Sequence, residues 1–335
     1  MSFSKKIVIP AFFIKQQNGL WYYLKDLINL IIISLGDEDS DTHEVQVFVS
    51  NWQSSAFESF GFGGDSRVVV KKIDSNKYEF LEACFWSLIR SRVVTISPTL
   101  RPLIGLNSFF ICHDFWPMMQ PKWFHRSVSK CLFLFGSYLS NRIFISKSHA
   151  GKNWDDELIL PNDPAFDNKA SDDVFACDVV LIGVETGRKR LDLLRCWIQY
   201  AVDNRIVGRC PKIAIIGVVS DHCLKGTFDG FDVHFFGPER MFDMTPRDVG
   251  SIYLSLSCEE GFNRGAKLAD HLGFNLHLSD IAVHREFFPE ANFFSIQSNQ
   301  IKAAPIYQNT MGPRWSASEI SKTRIGTMRK ILGLN

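Results

Sequence analysis

The segment from Ser255 to Gly265 (SLSCEEGFNRG) combines residue types at a spacing that suits phosphate and sugar chemistry. It ends an apolar strand-like run, turns through Gly261 and opens a run with helical periodicity. The first N–H groups of a helix lack partners within the helix, and glycine lets a ligand approach them, so the turn predicts an anion site suited to a diphosphate. Glu260 adds a carboxylate that can accept hydrogen bonds from sugar hydroxyls. The other interpretation is a glutamate that interacts only with the helix dipole.

The elements that must position this turn alternate between strand and helix, which is typical of a doubly wound parallel sheet. Strands are predicted over 7–14, 44–50, 67–72, 93–96, 108–112, 142–146, 175–183, 212–219, 231–236, 252–257 and 275–278. Helices are predicted over 20–35, 79–91, 122–139, 189–201 and 265–272. The alternation pauses over 161–173, so the predicted fold class is α/β with two Rossmann-like domains, 1–165 and 166–315. Ser316 or Ser318 can cap a closing basic helix over 316–335, which we expect to pack back on the first domain.

Charge, hydropathy and cysteine usage exclude several classes of function. Lys and Arg number 37 against 36 Asp and Glu, and this balance argues against a nucleic-acid binder with a strongly basic face. The apolar stretch Leu27–Leu35 is far shorter than the about 20 residues that cross a bilayer. The cysteines show no metal-ligand spacing, which predicts free thiols in a reducing, cytoplasmic setting and no bound metal.

Several of these segments resemble the donor-site signature of family 4 glycosyltransferases, the retaining enzymes of GT-B fold. Glu260-Gly261-Phe262, then Gly273, then Ser279–Glu286 (SDIAVHRE) match that family's EGFG turn and SDIPxHRE continuation. Supporting stretches lie in the same order along the chain: Asn18-Gly19, Cys112-His113-Asp114, Pro161-Asn162 and Gly183–Leu194. The resemblance implies two Rossmann-like domains facing a cleft, the first binding the acceptor and the second binding the nucleotide sugar.

The resemblance implies retaining, metal-independent transfer of a sugar from a nucleotide-sugar donor to a glycan or lipid-linked glycan in surface-polysaccharide synthesis. No cofactor is expected. Such a site must supply positive potential where charge builds on the leaving diphosphate. The candidate catalytic residues are His113, Glu260 and Lys189. The candidate donor-binding residues are Gly19, Arg188, Gly261, Phe262, Asn263, Arg264 and Gly265. Two plainer interpretations stay open: His113 as a strand-end cap and Lys189 as an exposed lysine at a helix start.

Two positions depart from the family's pattern. Leu268 stands where a second glutamate usually holds the ribose hydroxyls, and Val184 stands where an arginine usually faces the diphosphate. The turn continues Asn263-Arg264-Gly265 rather than Gly-Leu-Pro, so Arg264 adds a cation. These departures motivate an alternative, a GT-B-like protein that binds a glycan or a catalytic partner without catalysis.

The acceptor is expected near the segment Phe115–Arg126 (FWPMMQPKWFHR). Trp116, Lys122, Trp123 and Arg126 are candidate acceptor or membrane-surface residues, with rings at headgroup depth and cations near anionic lipid. An aromatic loop beside a buried helix has the same composition. The sequence therefore predicts a cytoplasmic protein, with peripheral contact to the inner face of the membrane as a hypothesis.

Overall fold

The computed structural model describes residues 5–14, 19–36, 43–58, 60–62, 65–86, 92–96, 108–112, 124, 127–128, 130–131, 141–150, 158–164, 166, 173–183, 187–217, 230–304 and 315–334. The chain divides into two compact units. Unit 1 comprises Met1–Asp163 and Ser316–Asn335, and unit 2 comprises Pro164–Trp315. The boundary therefore falls after Asp163, whereas the sequence places it after residue 165.

Unit 1 is built on a parallel sheet of seven strands in the order β3-β2-β1-β4-β5-β6-β7. The strands are β1 (Lys5–Pro10), β2 (His43–Val49), β3 (Val68–Lys72), β4 (Arg92–Thr95), β5 (Ser108–Cys112), β6 (Asn141–Phe144) and β7 (Leu158–Ile159). In the part of unit 1 that the structure describes before unit 2, four helices have defined bounds: α1 (Gly19–Leu35), α2 (Asn51–Glu58), α3 (Ile73–Trp86) and α4 (Lys147–Ala150). Strand β5 is buried at every position, as expected for a central parallel strand covered on both faces.

Unit 2 is built on a second seven-stranded sheet, ordered β11-β10-β9-β13-β14-β15-β16 and parallel except for its last strand. The strands are β8 (Phe175–Cys177), β9 (Val179–Ile182), β10 (Lys212–Ile216), β11 (Asp232–Phe236), β12 (Met244–Pro246), β13 (Ile252–Ser255), β14 (Asn275–Ser279), β15 (Asn292–Gln297) and β16 (Gln300–Ala303). The helices are α5 (Leu194–Asp203), α6 (Arg264–His271) and α7 (Ala282–Phe287). Strands β8 and β12 pair in a separate small sheet.

The closing helix α8 (Ala317–Leu332) belongs to unit 1 and packs against α1. A capping box starts it: Ser316 Oγ accepts from the N–H of Glu319 at 3.2 Å, and the Glu319 carboxylate accepts from the N–H of Ser316 at 2.8 Å. The prediction of Ser316 as N-cap is confirmed. Near the end of the helix, Thr327 Oγ1 donates to the Ile159 carbonyl at 2.7 Å, which ties α8 to β7.

Two predicted elements of unit 2 are shorter than the sequence suggested. The strand expected over 175–183 is two strands in different sheets, because Asp178 between them turns the chain and its carboxylate accepts the N–H of Lys212 at 2.7 Å. The helix expected from Lys189 begins only at Leu194, because Arg190 has a left-handed backbone with φ of 48° and 3-10 turns flank it.

The hairpin β15–β16 has no counterpart in the sequence prediction. It turns through Ser298 and Asn299, whose φ values of 48° and 64° suit a type I′ turn that matches the twist of the strands. The helix expected over 122–139 lies largely outside the described residues. Among the helices that are described, none has the length and apolar character of a membrane span.

Candidate functional site

The candidate site lies at the point where the strand order of unit 2 reverses. Strands β9 and β13 are neighbours, and the chain leaves them towards β10 and β11 on one side and β14 on the other. Open α/β sheets bind ligands beyond the carboxyl ends of strands at such a switch point. Here β9 leads to Gly183 and the 3-10 turn Gly187–Lys189, and β13 leads through a loop to α6. The fold therefore brings the sequence-predicted turn to the expected edge of the sheet.

Glu260 is the centre of this site, with a side chain only 3% exposed. Its Oε1 accepts hydrogen bonds from Lys189 Nζ and, at 2.7 Å, from Ser257 Oγ. Arg188 Nη1 lies 4.0 Å from the second carboxylate oxygen. Burial opposes ionisation, but the charges of Lys189 and Arg188 outweigh it and lower the pKa of Glu260 to about 2. The carboxylate is therefore ionised at neutral pH, and it faces two cations.

Backbone geometry holds these charges together. Gly183 follows β9 directly and has φ of 75°, a left-handed conformation that favours glycine. The N–H of Cys258 donates to the carbonyl of Arg188 at 2.9 Å, which joins the loop after β13 to the turn after β9. Arg188 Nη1 also lies 4.0 Å from a carboxylate oxygen of Glu259. The site is thus an alternating arrangement of cations and carboxylates carried by two adjacent loops.

Helix α6 begins at this site, and its start is tightly packed. Asn263 is the N-cap, and its Oδ1 accepts the N–H of Ala266 at 3.0 Å. A Cβ on Gly265 would lie 2.7 Å from Tyr253 Oη and 3.1 Å from Ile182 Cβ, so only glycine fits there. Because Asn263 accepts the N–H of Ala266, one of the helix N–H groups that we expected to face an anion already has a partner within the chain.

Two predicted donor-binding side chains point into the protein instead. The ring of Phe262 is 6% exposed and packs edge-on against Phe287, with centroids 4.8 Å apart. The Asn263 side chain is 1% exposed and bonded within the unit. Burial and internal partners occupy both side chains, so a donor contact at these positions falls to their backbone, and the donor-binding role of Phe262 and Asn263 stays a prediction. The buried Gly261 and the half-buried Arg264 lie on the turn itself.

Other predicted residues fall elsewhere in the chain. Gly19 is the first residue of α1 in unit 1, and its donor role stays a prediction. Residues outside the described part of the chain include His113, Trp116, Lys122, Trp123, Arg126 and Val184. Their roles also stay predictions.

Leu268 is buried on α6 at 1% exposure, as are Ala266 and Ala269 of the same helix. A buried apolar side chain offers no acceptor for ribose hydroxyls. Within the described part of the chain, no group of three or more His, Cys, Asp or Glu side chains is placed to hold a metal ion.

Sequence reasoning missed Ser257, which donates directly to Glu260. The signal was its place three residues before the glutamate, in the loop between strand and helix, where a short hydroxyl side chain reaches neighbouring groups. It also missed Tyr253 and gave no role to the buried His284. Strand and helix periodicity places both in the core and says nothing of their polar atoms.

No protein-family model matches this chain, and no curated protein sequence does. Among solved structures, TarM is similar with a TM-score of 0.58 and 11% identity, over 98% of this chain and 91% of that chain. A mutant of S. aureus TarM in complex with fondaparinux, alpha-GlcNAc-glycerol and UDP is similar with a TM-score of 0.56 and 10% identity, over 98% and 93%. At this identity the likeness shows the fold. The chain has the fold of GT-B glycosyltransferases, with two Rossmann-like α/β units, and the predicted fold class is confirmed.

Proposed function

We propose that this chain is a retaining, metal-independent glycosyltransferase that moves a sugar from a nucleotide-sugar donor to a glycan or lipid-linked glycan. The observation that carries the proposal is the group formed by Glu260, Lys189 and Arg188 at the switch point of a GT-B fold. The similar TarM structure that contains UDP and alpha-GlcNAc-glycerol supports this class of ligands.

In this proposal the cations stabilise the charge that develops on the leaving diphosphate. Lys189 and Arg188 stand on one loop, and Arg264 begins α6 on the other side of the turn. Fixed positive groups in a site screened from water stabilise a developing anion more strongly than they do in bulk water. An oxygen of the diphosphate competes with Glu260 for Lys189 when the donor binds. Glu260 is then available to accept hydrogen bonds from hydroxyls of the transferred sugar.

The acceptor side of the proposal rests on the sequence. From the resemblance and the sequence we assign His113 to the transferred sugar, and Trp116, Lys122, Trp123 and Arg126 to the acceptor or a membrane surface. The chain acts in the cytoplasm, on the inner face of the membrane, in surface-polysaccharide synthesis. Liposome flotation tests the membrane contact: with anionic vesicles we expect the protein in the floating fraction, and protein left with the soluble fraction contradicts that contact.

The donor reaction is tested with the purified full chain and a panel of UDP-, GDP- and dTDP-sugars, measuring released nucleotide. We expect Glu260→Gln and Lys189→Met to lower release by about 100-fold or more, the usual cost of removing an electrostatic contact to a transition state. The matched control is Lys71→Met, because Lys71 pairs with Glu79 in unit 1, whereas this loop cluster belongs to unit 2. The control should retain activity within about two-fold of the wild type. Equal losses in all three variants contradict the assignment.

The second candidate is a GT-B-like protein that binds a glycan or a partner without catalysis. The burial of Leu268 favours it, because that position cannot contact a ribose. If none of the sugar nucleotides raises the melting temperature while a glycan does, this candidate replaces the transferase.

A further inference from the structure

A buried chain of hydrogen bonds ends on the Glu260 carboxylate. The hydroxyl of Tyr253 donates to Asn263 Oδ1 at 2.9 Å, and Asn263 Nδ2 donates to Ser255 Oγ at 3.0 Å. Ser255 Oγ donates to Ser257 Oγ at 3.1 Å, and Ser257 Oγ donates to Glu260 at 2.7 Å. Each of these side chains is less than 5% exposed. From Asn263 onward every donor points towards the carboxylate, so the bonds polarise one another in the same direction.

Asn263 is the branch point of this chain, and all of its hydrogen-bonding positions are used. Its Oδ1 accepts from Tyr253 and from the backbone N–H of Ala266, while its Nδ2 donates to Ser255 and to Nε2 of His284 at 3.0 Å. An asparagine side chain has two donor hydrogens and two acceptor lone pairs, so none is left over. The backbone N–H of Ala266 can only donate, so the amide oxygen of Asn263 must face Ala266. The amide nitrogen, Nδ2, then faces His284.

His284 links Asn263 to the backbone of the neighbouring strand β14. It is fully buried, and its Nδ1 lies 2.8 Å from the carbonyl oxygen of Ser279. A carbonyl only accepts, so Nδ1 carries the proton and Nε2 is a bare acceptor for Asn263. Burial lowers the pKa of His284 to about 4, which keeps the ring neutral near neutral pH. A neutral ring with this tautomer is the state that an amide donor requires.

We propose that His284 is a positioning residue for the donor site: through Asn263, Ser255 and Ser257 it fixes the orientation of the Glu260 carboxylate. The inference rests on the proposed function, because it assigns the carboxylate to the sugar end of the donor. It is particular to this sequence, since Asn263 stands where the family pattern has glycine. His284 itself does not touch the donor, and the diphosphate end of the site is held by Lys189 and Arg188 on another loop.

The test compares two substitutions of His284. His284→Met is similar in size and removes the acceptor for Asn263, whereas the amide oxygen of His284→Gln can accept in place of Nε2. His277 provides the matched control: it is a neighbouring histidine of unit 2 that contacts Trp197 edge-on, with ring centroids 6.2 Å apart, and His277→Met leaves the Asn263 bonds intact. Should His284→Met fail to fold, Ser257→Ala is a second variant, which removes the hydroxyl that accepts from Ser255 and donates to Glu260.

Two readouts separate this inference from the proposed function. The first is hydrogen–deuterium exchange of the full chain without ligand. We expect faster exchange over 257–267 in His284→Met, but not in His284→Gln or His277→Met. The second readout combines two measurements: turnover with the nucleotide sugar that the wild type uses, and the Kd of UDP from calorimetry. A misplacement of about 1 Å can cost about 100-fold in rate, so we expect kcat to fall by about 10- to 100-fold in His284→Met, with a UDP Kd within about three-fold of the wild type.

Exchange over 257–267 that is unchanged in both His284→Met and Ser257→Ala overturns the inference, whether or not the chain is an enzyme. A fall in kcat that His284→Gln does not rescue also overturns it. A wild type that shows neither turnover nor UDP binding contradicts the proposed function, while the exchange data still decide whether His284 holds the loop.

Discussion

Replacing Lys189 by methionine measures what the ion pair with Glu260 contributes to unit 2. The Lys189 side chain is 14% exposed and that of Glu260 is 3% exposed, so the substitution leaves a carboxylate inside the unit without its closest cation. Breaking a buried pair on one side costs about 3–5 kcal/mol. Since Ser257 still donates to the carboxylate and Arg188 stays 4.0 Å away, we expect the lower end, about 3 kcal/mol of unfolding free energy.

The pH dependence of stability gives a second, independent measure of the same pair. The pKa of Glu260 is lowered from 4.5 to about 2, which corresponds to about 3 kcal/mol at neutral pH. A carboxylate with a depressed pKa contributes this stability fully above the unfolded pKa, and the contribution is lost as pH falls from about 4.5 towards 2. In Lys189→Met the folded pKa rises, because burial then dominates. The wild-type gain in stability between pH 2 and 5 should shrink accordingly.

Urea denaturation at pH 7 and at several pH values below 5 checks both expectations. The control is Lys71→Met, whose pair with Glu79 is more exposed, at 17% and 32%, and should cost less than about 1 kcal/mol. Adding Glu260→Gln to Lys189→Met removes the unpaired charge and should recover most of the lost stability. A loss of stability in Lys189→Met no larger than that in Lys71→Met, or a further loss on adding Glu260→Gln, would show that Lys189 does not stabilise the Glu260 carboxylate.

Three further substitutions test the packing of the fold by thermal or chemical denaturation. Gly265→Ala places a Cβ 2.7 Å from Tyr253 Oη and should cost about 1–3 kcal/mol; an unchanged midpoint would show that the helix start can shift. Gly326→Ala, at an exposed position within α8 where a Cβ meets nothing within 4 Å, should raise stability by about 1 kcal/mol, and a loss contradicts the helical assignment. Asn162 is 2% exposed, and neither atom of its amide has a hydrogen-bond partner among the residues that the structure describes. Asn162→Leu should therefore raise the free energy of unfolding by about 1 kcal/mol, and the melting temperature with it. A lower melting temperature would show that the amide is satisfied.

The central strands and the donor turn follow from the sequence for a simple physical reason. Ser108–Cys112 is buried at every position, because a strand in a parallel sheet that is covered on both faces needs a nearly continuous run of apolar residues. The turn at Gly261 was readable because glycine, an acidic residue and a helical pattern occur together after a strand. The GT-B fold class followed from the alternation of these elements and from the resemblance.

Other features depend on contacts that no local pattern encodes. Arg190 adopts a left-handed backbone that favours glycine, and its side chain is held by Asp192 and, at 2.7 Å, by Asn299. Asp192 is a local partner, but Asn299 lies 109 residues further along the chain, and no local pattern encodes that contact or the late start of α5. The hydrogen bonds of Asn263 were not predictable either. Its place in the turn suggested donor binding, whereas its side chain bonds to Tyr253 and His284 inside the unit.

A calorimetric titration of the full chain with UDP-, GDP- and dTDP-sugars shows whether the loop cluster around Glu260 binds a nucleotide sugar. We expect saturable binding of at least one of them, weakened about ten-fold or more in Lys189→Met and unchanged in Lys71→Met. Loss of a cation at a site that binds a diphosphate should reduce affinity in this way. No binding by the wild type to any of these donors, or equal binding by wild type and Lys189→Met, would contradict the assignment of this loop cluster as the donor site.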